Sequence, residues 1–191
     1  FDTSEQVVSA KEKKKAVMYS GKLDEQYGIK MLVDAFMCIQ DSDIELWITG
    51  GGNTEGYIKT CAKKDDRIKF YGFLPSRQDV LQKQAEASLL VNMRLPSELA
   101  SGYCFPSKLF EYMATGTPVL SFDIAGIPRE YLQHLYVVNQ ETVDALAKAI
   151  EETLSLDEAS LQERGNGARE FIINKKNTKT QCSKMWKFVT D

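Results

Sequence analysis

The chain has 191 residues, with 24 lysines and arginines against 27 aspartates and glutamates, and a formal net charge of −3. This length suits one sizeable α/β domain, and the slightly acidic balance excludes a general attraction for nucleic acid. No apolar run approaches the roughly 18 to 20 residues that a membrane-spanning helix needs.

The N-terminal sequence and the cysteines indicate the cellular setting. The segment FDTSEQVVSAKEKKKAV lacks a start methionine and a signal-peptide pattern, so we expect this chain to be part of a longer protein. The four cysteines form no CxxC pair, which disfavours a zinc site or a disulfide framework and indicates a reducing, cytoplasmic location. They are Cys38, Cys61, Cys104 and Cys182.

Strand and helix signals alternate along the chain. After a partly irregular segment at residues 1–14, apolar runs predict strands at residues 16–20, 44–49, 68–71, 87–92, from 119, and at 135–138 as an edge strand. Helical spacing predicts helices at residues 29–39, 55–64, 76–84, from 106, 142–154, 157–173 and about 176–189. This alternation predicts a single α/β domain over residues 1–191, with a Rossmann-like, doubly wound parallel sheet of about six strands and flanking helices.

In such a sheet, ligands bind beyond the carboxyl ends of the strands. The segments that follow the strands are therefore the candidate binding loops: residues 21–28, 50–54, 72–75, 93–107 and 123–128. The loop after the fourth strand is the longest of these, and a long loop in a compact domain is usually functional or mobile.

The segment FPSKLFEYMATGTPVL, residues 105–120, carries the most information. Pro106 and Ser107 are typical of a helix start, where we expect the Ser107 side chain to cap the free N–H groups. Gly116 should end the helix. Glu111 lies outside the apolar set that recurs at helical spacing and should face the core, namely Leu109, Tyr112 and Met113.

This helix start predicts a nucleotide site. A helix N-terminus after a loop favours anions, and Glu111, one turn along, can accept hydrogen bonds from ribose hydroxyls. Lys108 lies in the first turn, where the helix dipole disfavours a cation unless an anion is present. The alternatives are that Lys108 extends into solvent and that Glu111 is a surface residue or pairs with Lys108.

The loops after the first two strands offer a cation and glycines. Gly21 lets the backbone approach a ligand, and Lys22 can hold a diphosphate and stabilise a phosphate leaving group; the alternative is a solvated lysine. The glycines at residues 50–52, with Gly51 at the centre, can cradle a phosphate or sugar through N–H groups, or can simply mark a tight turn.

The turn after the third strand offers a surface for a flat base. Gly72, Phe73 and Leu74 can form a wall, with backbone groups that recognise the edge of the base. For a single aromatic residue, however, packing into the core is the favoured interpretation of Phe73. His134 is the only histidine, and we expect a surface or core residue there rather than a catalytic base.

Together, these motifs resemble the C-terminal, donor-binding half of GT-B glycosyltransferases, and most closely the retaining group often called glycosyltransferase family four. The resemblance runs from about Lys15 to the end of the chain and rests on YSGKL, IELWITGGG, RIKFYGFLP and FPSKLFEYMATGTPVL in this order. It implies transfer of a sugar from a nucleotide diphosphate sugar, such as a UDP-sugar, to an acceptor hydroxyl, with retention and with no metal or other cofactor.

The resemblance also implies roles for matching residues. Glu111 matches the second glutamate of the family's Glu-x7-Glu motif, which binds the ribose, and Lys22 falls where a basic residue holds the diphosphate. Lys22 and Lys108 are the expected catalytic cations. The expected base-binding segment is Gly72, Phe73 and Leu74, and the turn expected to meet the phosphate or sugar contains Cys104, Phe105 and Ser107. The last helix, near Trp186 and Phe188, matches one that packs toward the other domain.

The chain departs from the family pattern at three points. Tyr103 stands where the first glutamate of the motif would be, and Tyr27 stands where a lysine is common. One cation of a pair is therefore missing, and Lys108 is the expected replacement. The N-terminal half, which binds the acceptor, is absent from this chain.

We therefore expect the donor-binding domain of a cytoplasmic glycosyltransferase in bacterial surface glycan synthesis, inactive in isolation. Its partners would be a nucleotide sugar and a glycan or lipid-linked acceptor held by the missing domain, which would place the full-length enzyme at the inner face of the plasma membrane. Two alternatives remain open: a non-catalytic nucleotide-sugar-binding module, and a nucleotide-sugar epimerase of similar fold, which the single histidine disfavours.

Overall fold

Six parallel strands form one sheet in the computed structural model, which describes residues 15–98, 102–177, 180, 182 and 186. The strands are β1 (Lys15–Lys22), β2 (Ile44–Gly51), β3 (Ile68–Gly72), β4 (Leu89–Asn92), β5 (Val119–Phe122) and β6 (Tyr136–Val138). Their order across the sheet is β3-β2-β1-β4-β5-β6. The neighbouring strands β1, β4 and β5 are buried on both faces, which is typical of parallel sheets covered by helices.

Helices cover both faces of this sheet. They are α1 (Ile29–Cys38), α2 (Glu55–Lys64), α3 (Arg77–Glu86), α4 (Ser107–Thr115), α5 (Arg129–Leu132), α6 (Val143–Leu154) and α7 (Glu158–Lys175). Helix α1 contacts α2 and α6, whereas α4 contacts α3 and α7. The predicted doubly wound, Rossmann-like α/β fold is thus confirmed. Within the described part of the chain, no helix is both long enough and apolar enough to cross a membrane.

Two short elements were not predicted. Helix α5 has 4 residues, and a 3₁₀ turn at Glu25–Tyr27 has 3, so neither is long enough to show a helical period in the sequence. The predicted segment at residues 1–14 and most of the predicted last helix, with Phe188, lie outside the described residues.

The strand order reverses at β1. This strand lies between β2 and β4, although β4 follows it in the chain only after two further strands. Such a reversal opens a crevice at the carboxyl ends of the strands, where doubly wound domains bind ligands. The ends of β1, β2 and β4 at this crevice are Lys22, Gly51 and Asn92.

Helix α4 is joined to the end of β1 by a buried hydrogen-bond network. Leu109, Tyr112 and Met113 are fully buried, as predicted. The Tyr112 hydroxyl accepts a hydrogen bond from the Ser20 N–H at 2.9 Å and lies 3.1 Å from the Ser20 carbonyl, to which it donates. Burial raises the pKa of Tyr112 to about 12, so the hydroxyl keeps its proton. The helix therefore has a defined position relative to the crevice.

The start of α4 differs from the prediction. Pro106 is the N-cap, and Ser107 is the first helical residue, with no capping hydrogen bond from a side chain. A side chain at the first helical position cannot fold back onto the free N–H groups as an N-cap side chain does, so the first turn of α4 stays open to other acceptors. The end of the helix is as predicted, because Gly116 adopts the left-handed conformation with φ 82°.

Helix α7 packs directly against the end of α4. A Cβ atom added at Gly165 would lie 2.0 Å from the Gly116 carbonyl oxygen. The two backbones therefore touch at a point where only glycine fits. By contrast, a Cβ at Gly167, two residues along the same helix, would lie 3.8 Å from His134 Nδ1, which is an ordinary contact.

These two glycines give a matched test of the packing. Gly165→Ala should destabilise the fold by about 1–3 kcal/mol, because the backbones must separate. Gly167→Ala should stabilise it by up to about 1 kcal/mol, because alanine favours the helix. Urea unfolding followed by circular dichroism measures both values. Equal effects of the two substitutions would show that α7 does not pack on Gly116 in this way.

Candidate functional site

Two adjoining cavities occupy the crevice at the carboxyl ends of the strands. The first, which we name the α4 cavity, has a volume of about 270 Å³ and is lined by Tyr19, Gly21, Lys22, Tyr27, Asn92, Met93, Arg94, Pro106, Ser107, Lys108 and Tyr112. The second, which we name the α3 cavity, has a volume of about 510 Å³ and is lined by Ser20, Gly21, Lys22, Thr49, Gly50, Gly51, Phe73, Leu74, Pro75, Ser76, Arg77, Val80 and Lys108. Gly21, Lys22 and Lys108 line both, so these cavities form one continuous site.

Lys108 points toward the end of β1 rather than freely into solvent. Its ammonium lies close to Gly21, because a Cβ atom added at this glycine would be 3.5 Å away from it. The side chain of Lys108 is 37% exposed. Burial lowers the pKa of Lys108, and the nearby Glu111 carboxylate opposes this effect. Within the site, an anion would relieve both the burial of this charge and the unfavourable helix dipole.

Glu111 is held in place by a buried glutamine. Gln84 on α3 is fully buried, and its Nε2 donates to Glu111 Oε1 at 2.8 Å and to Ser20 Oγ at 2.8 Å. Arg77 lies 3.6 Å from the other carboxylate oxygen. The ammonium of Lys108 is 4.0 Å away, so the predicted alternative of a Lys108 pair is present only as a loose contact.

Lys22 lies at the mouth of both cavities. Its side chain is 71% exposed, and its ammonium is 3.6 Å from Asp24. An exposed pair of this kind contributes little to stability, which leaves Lys22 available to a ligand. Beside it, the Tyr19 hydroxyl donates to the Lys22 carbonyl at 2.9 Å. Burial raises the pKa of Tyr19, so this donor keeps its proton.

The glycines after β2 pack tightly. A Cβ atom at Gly50 would lie 1.8 Å from the Gly21 carbonyl, and one at Gly52 would lie 2.4 Å from the Leu23 backbone. The Gly52 N–H donates to Glu55 Oε1 at 3.3 Å. These contacts favour the tight turn over the phosphate cradle for Gly50 and Gly52, whereas Gly51 lines the α3 cavity.

Phe73 corrects a prediction. The favoured interpretation placed its side chain in the core, but Phe73 is 83% exposed and lines the α3 cavity. Its ring lies on Gly51, where an added Cβ atom would be 2.5 Å from the ring. Gly72, with φ 63°, turns the chain at the end of β3, and this turn directs Phe73 away from the sheet. Leu74 also lines this cavity.

Four predicted site residues are not among the residues that line either cavity. Of these, Glu111 lies beside two residues of the α3 cavity wall, Arg77 at 3.6 Å and Lys108 at 4.0 Å. Phe105 packs its ring against Phe110 and Tyr131, at centroid distances of 4.7 and 4.9 Å. Cys104 is exposed, and the Gly72 carbonyl accepts a hydrogen bond from Thr49 Oγ1 at 2.6 Å. Ser107, by contrast, lines the α4 cavity. Tyr103 is 85% exposed.

His134 packs against helix α7. Its ring stacks on Phe171 with centroids 4.5 Å apart, and it precedes β6 at the amino end of that strand. Burial, and then the charge of Arg164, lower the pKa of His134. In the described ranges, no group of three or more His, Cys, Asp or Glu side chains is placed to hold a metal ion.

Sequence reasoning missed several polar residues at the site, of which Arg94 and Gln84 matter most. Arg94 follows β4 within a loop that was recognised as a candidate, and it lines the α4 cavity. Gln84 lies in a helix of mostly polar composition, where no pattern distinguishes its buried position. The position of Arg94 directly after a buried strand was the available signal.

The fold is that of GT-B glycosyltransferase C-terminal domains. Superposition on the structure of Anabaena Alr3699/HepE in complex with UDP covers 93% of this chain and 49% of that chain, with a TM-score of 0.74 and 17% identity. The fold also matches 86% of this chain and 87% of the C-terminal domain of a glycosyl transferase group 1 family protein, LpcC, from Francisella tularensis, with a TM-score of 0.68 and 15% identity. At such low identities, these matches show a shared fold.

The sequence identifies the family. Residues 14–156 match the family model of glycosyl transferases group 1, and the chain belongs to this family. It is 28% identical over 123 residues to the amylovoran biosynthesis glycosyltransferase AmsK of Erwinia amylovora, covering 62% of this chain and 30% of AmsK. It is 35% identical over 108 residues to the exopolysaccharide phosphotransferase SCO2592 of Streptomyces coelicolor, covering 55% of this chain and 10% of that protein. The chain thus spans less than a third of the length of these curated relatives.

A charge introduced at Gln84 tests the buried network. Gln84→Glu would bring a second carboxylate to the position now 2.8 Å from Glu111. We expect the free energy of unfolding to fall by about 3 kcal/mol or more near neutral pH. The repulsion raises the folded-state pKa of the new carboxyl above its unfolded value. The loss of stability relative to the parent chain, or stability deficit, should therefore become smaller as the pH falls and the new carboxyl binds a proton.

Urea unfolding at about pH 7 and about pH 5 measures this deficit. Gln78→Glu, on the exposed side of the same helix, is the control and should change stability by less than about 0.5 kcal/mol. A deficit for Gln84→Glu that is small and independent of pH would contradict the hydrogen bond to Glu111.

Proposed function

We propose that this chain is the donor-binding domain of a glycosyltransferase that moves a sugar from a nucleoside diphosphate sugar to an acceptor hydroxyl. One observation carries the proposal. The uncapped start of α4 and the half-buried Lys108 face the end of β1, and Glu111 lies one turn further along the same helix. This arrangement suits a ligand that carries phosphate at one end and a ribose beside it.

The diphosphate would lie against the cations. Lys22 and Lys108 line both cavities, and the free N–H groups of α4 add donors that need no rearrangement. When the bond from the sugar to the diphosphate breaks, negative charge grows on the leaving phosphate. Cations and oriented N–H groups stabilise this charge most strongly in a site that excludes water. These two lysines would therefore bind the donor and also promote its cleavage.

The nucleoside would extend into the α3 cavity. Glu111 would accept hydrogen bonds from the ribose hydroxyls with its second carboxylate oxygen, because the buried Gln84 binds the first oxygen and Arg77 lies 3.6 Å from the second. The exposed ring of Phe73 would contact the base, and the backbone of Leu74 would contact its edge. Uracil is the first base to test, because HepE, which shares the fold, was crystallised with UDP.

The stereochemistry and the cellular role also belong to the proposal. Retention at the anomeric carbon is implied by the family resemblance, and the leaving diphosphate itself would take the proton of the acceptor hydroxyl. The family resemblance likewise implies donor cleavage without a metal, with the lysines and α4 balancing the charge. The names of the two curated relatives, an exopolysaccharide phosphotransferase and an amylovoran biosynthesis glycosyltransferase, support a role in bacterial surface glycans, with a glycan or lipid-linked acceptor at the inner membrane face. The isolated domain would bind the donor without transferring sugar.

Removal of the ribose contact tests the site. Glu111→Ala should weaken UDP binding by about 1–3 kcal/mol, because hydrogen bonds to a charged acceptor are lost. For 2′,3′-dideoxy-UDP, which lacks the hydroxyls, the variant and the parent chain should bind equally. Isothermal titration calorimetry with UDP, GDP and ADP measures affinity and base preference. If the parent chain binds none of these nucleotides at millimolar concentration, the proposed function is wrong.

Binding should also depend on Lys108 at alkaline pH. Because burial holds the pKa of Lys108 below its usual value of 10.5, the free chain loses this proton before an exposed lysine would. A bound diphosphate stabilises the protonated ammonium, so UDP binding takes up a proton and weakens as the pH rises through this range. Glu111 lies 4.0 Å from Lys108 on the same helix. The other titratable or charged side chains that line the two cavities with Lys108 are Tyr19, Lys22, Tyr27, Arg77, Arg94 and Tyr112.

Calorimetry in buffers of different ionisation enthalpy, between about pH 8 and 10, measures the proton uptake. The uracil ring of UDP also titrates in this range. Proton uptake by the Lys108→Met variant gives the contribution of the ring, and the difference between the parent chain and this variant gives the contribution of Lys108. If the parent chain and Lys108→Met take up the same number of protons, Lys108 is not part of the phosphate site.

A further inference from the structure

A second half-buried cation lies in the α4 cavity. The guanidinium of Arg94 is 5.4 Å from the centroid of the Tyr27 ring, and both residues line the cavity. Arg94 lies just beyond β4, whereas Tyr27 ends the 3₁₀ turn beyond β1. The two side chains therefore meet across the point where the strand order reverses.

Arg94 differs from the other cations of the site in its partners. Lys22 has Asp24 at 3.6 Å, and Lys108 has Glu111 at 4.0 Å. Among residues 15–98 and 102–177, no carboxylate oxygen lies within 4.0 Å of the Arg94 guanidinium. Its aromatic neighbour orients the charge by a cation–π contact but does not neutralise it. This leaves a positive charge that is held in position and open to an anion.

We infer that Arg94, held by Tyr27, is a third cation that binds the diphosphate, beside Lys22 and Lys108. This inference rests on the proposed function. A guanidinium can bind two phosphate oxygens at once and stays charged at all accessible pH values. Arg94 thus adds a two-pronged phosphate contact that the single ammonium groups of Lys22 and Lys108 cannot make.

The test compares ligands that differ only in phosphate content. UDP, UMP and uridine are titrated into the 191-residue chain and into Arg94→Ala, Arg94→Lys, Tyr27→Leu and Tyr27→Phe. Arg94→Ala should weaken UDP binding about ten- to hundredfold and leave uridine binding unchanged. Arg94→Lys keeps the charge without the planar fork, so its affinity should lie between those of the parent and the alanine variant.

The Tyr27 variants separate an orienting role from a general structural one. Tyr27→Leu should weaken UDP binding about three- to tenfold, whereas Tyr27→Phe keeps the ring and should bind as the parent does. In the double variant with Arg94→Ala, loss of the ring should add nothing further, because the charge it orients is gone. Lys148→Ala, which removes an exposed charge on α6, controls for net charge and should have no effect.

The outcomes distinguish this inference from the proposed function. If the parent binds UDP and Arg94→Ala binds it equally well, Arg94 is not part of the phosphate site, although the proposed function stands. If all affinities, including that for uridine, fall together, Arg94 has a structural role only, and the inference is wrong. If the parent binds no nucleotide, both proposals fail. Should Arg94→Ala not fold, as judged by circular dichroism, Arg94→Lys and the two Tyr27 variants decide the question by the same criteria.

Discussion

The hydrogen bonds between the Tyr112 hydroxyl and Ser20, at 2.9 and 3.1 Å, are the contact on which the site depends. They join the helix that carries Lys108 and Glu111 to the strand at which the sheet order reverses. Both partners are buried, so loss of either would leave a polar group without water or a partner. Gln84 extends this network from Ser20 to Glu111. The geometry of the site is thus determined mainly by the core.

The same site concentrates positive charge. Lys22, Lys108 and Arg94 line one cavity together with the positive end of α4, and only loosely placed carboxylates oppose them. Burial lowers the pKa of Lys108, which means that the charged form of this side chain is disfavoured in the free chain. Such local conflicts are typical of functional sites, because the rest of the fold stabilises them until a ligand removes the conflict.

The sequence predicted the fold well because each strand is a buried apolar run between turn residues, and helices such as α4 show a clear apolar period. Prediction from the sequence failed where contacts between distant residues determine the local structure. Ser107 lies inside the helix rather than at the cap, and Phe73 is exposed by the turn at Gly72. Gln84 and Arg94 gain their importance only from neighbours distant in the chain, Glu111 and Tyr27, and no local pattern reports such pairings.

The backbone contact between Gly165 and Gly116 has a consequence for how α4 can change. The helix has 9 residues; one end abuts α7, and the Tyr112 hydroxyl joins it to β1. Each residue of an α-helix turns the chain by about 100°. One inserted or deleted residue would therefore carry Glu111 around the helix axis, away from Gln84, while both attachments resist the shift. The exposed positions of this helix can therefore vary more freely than its length.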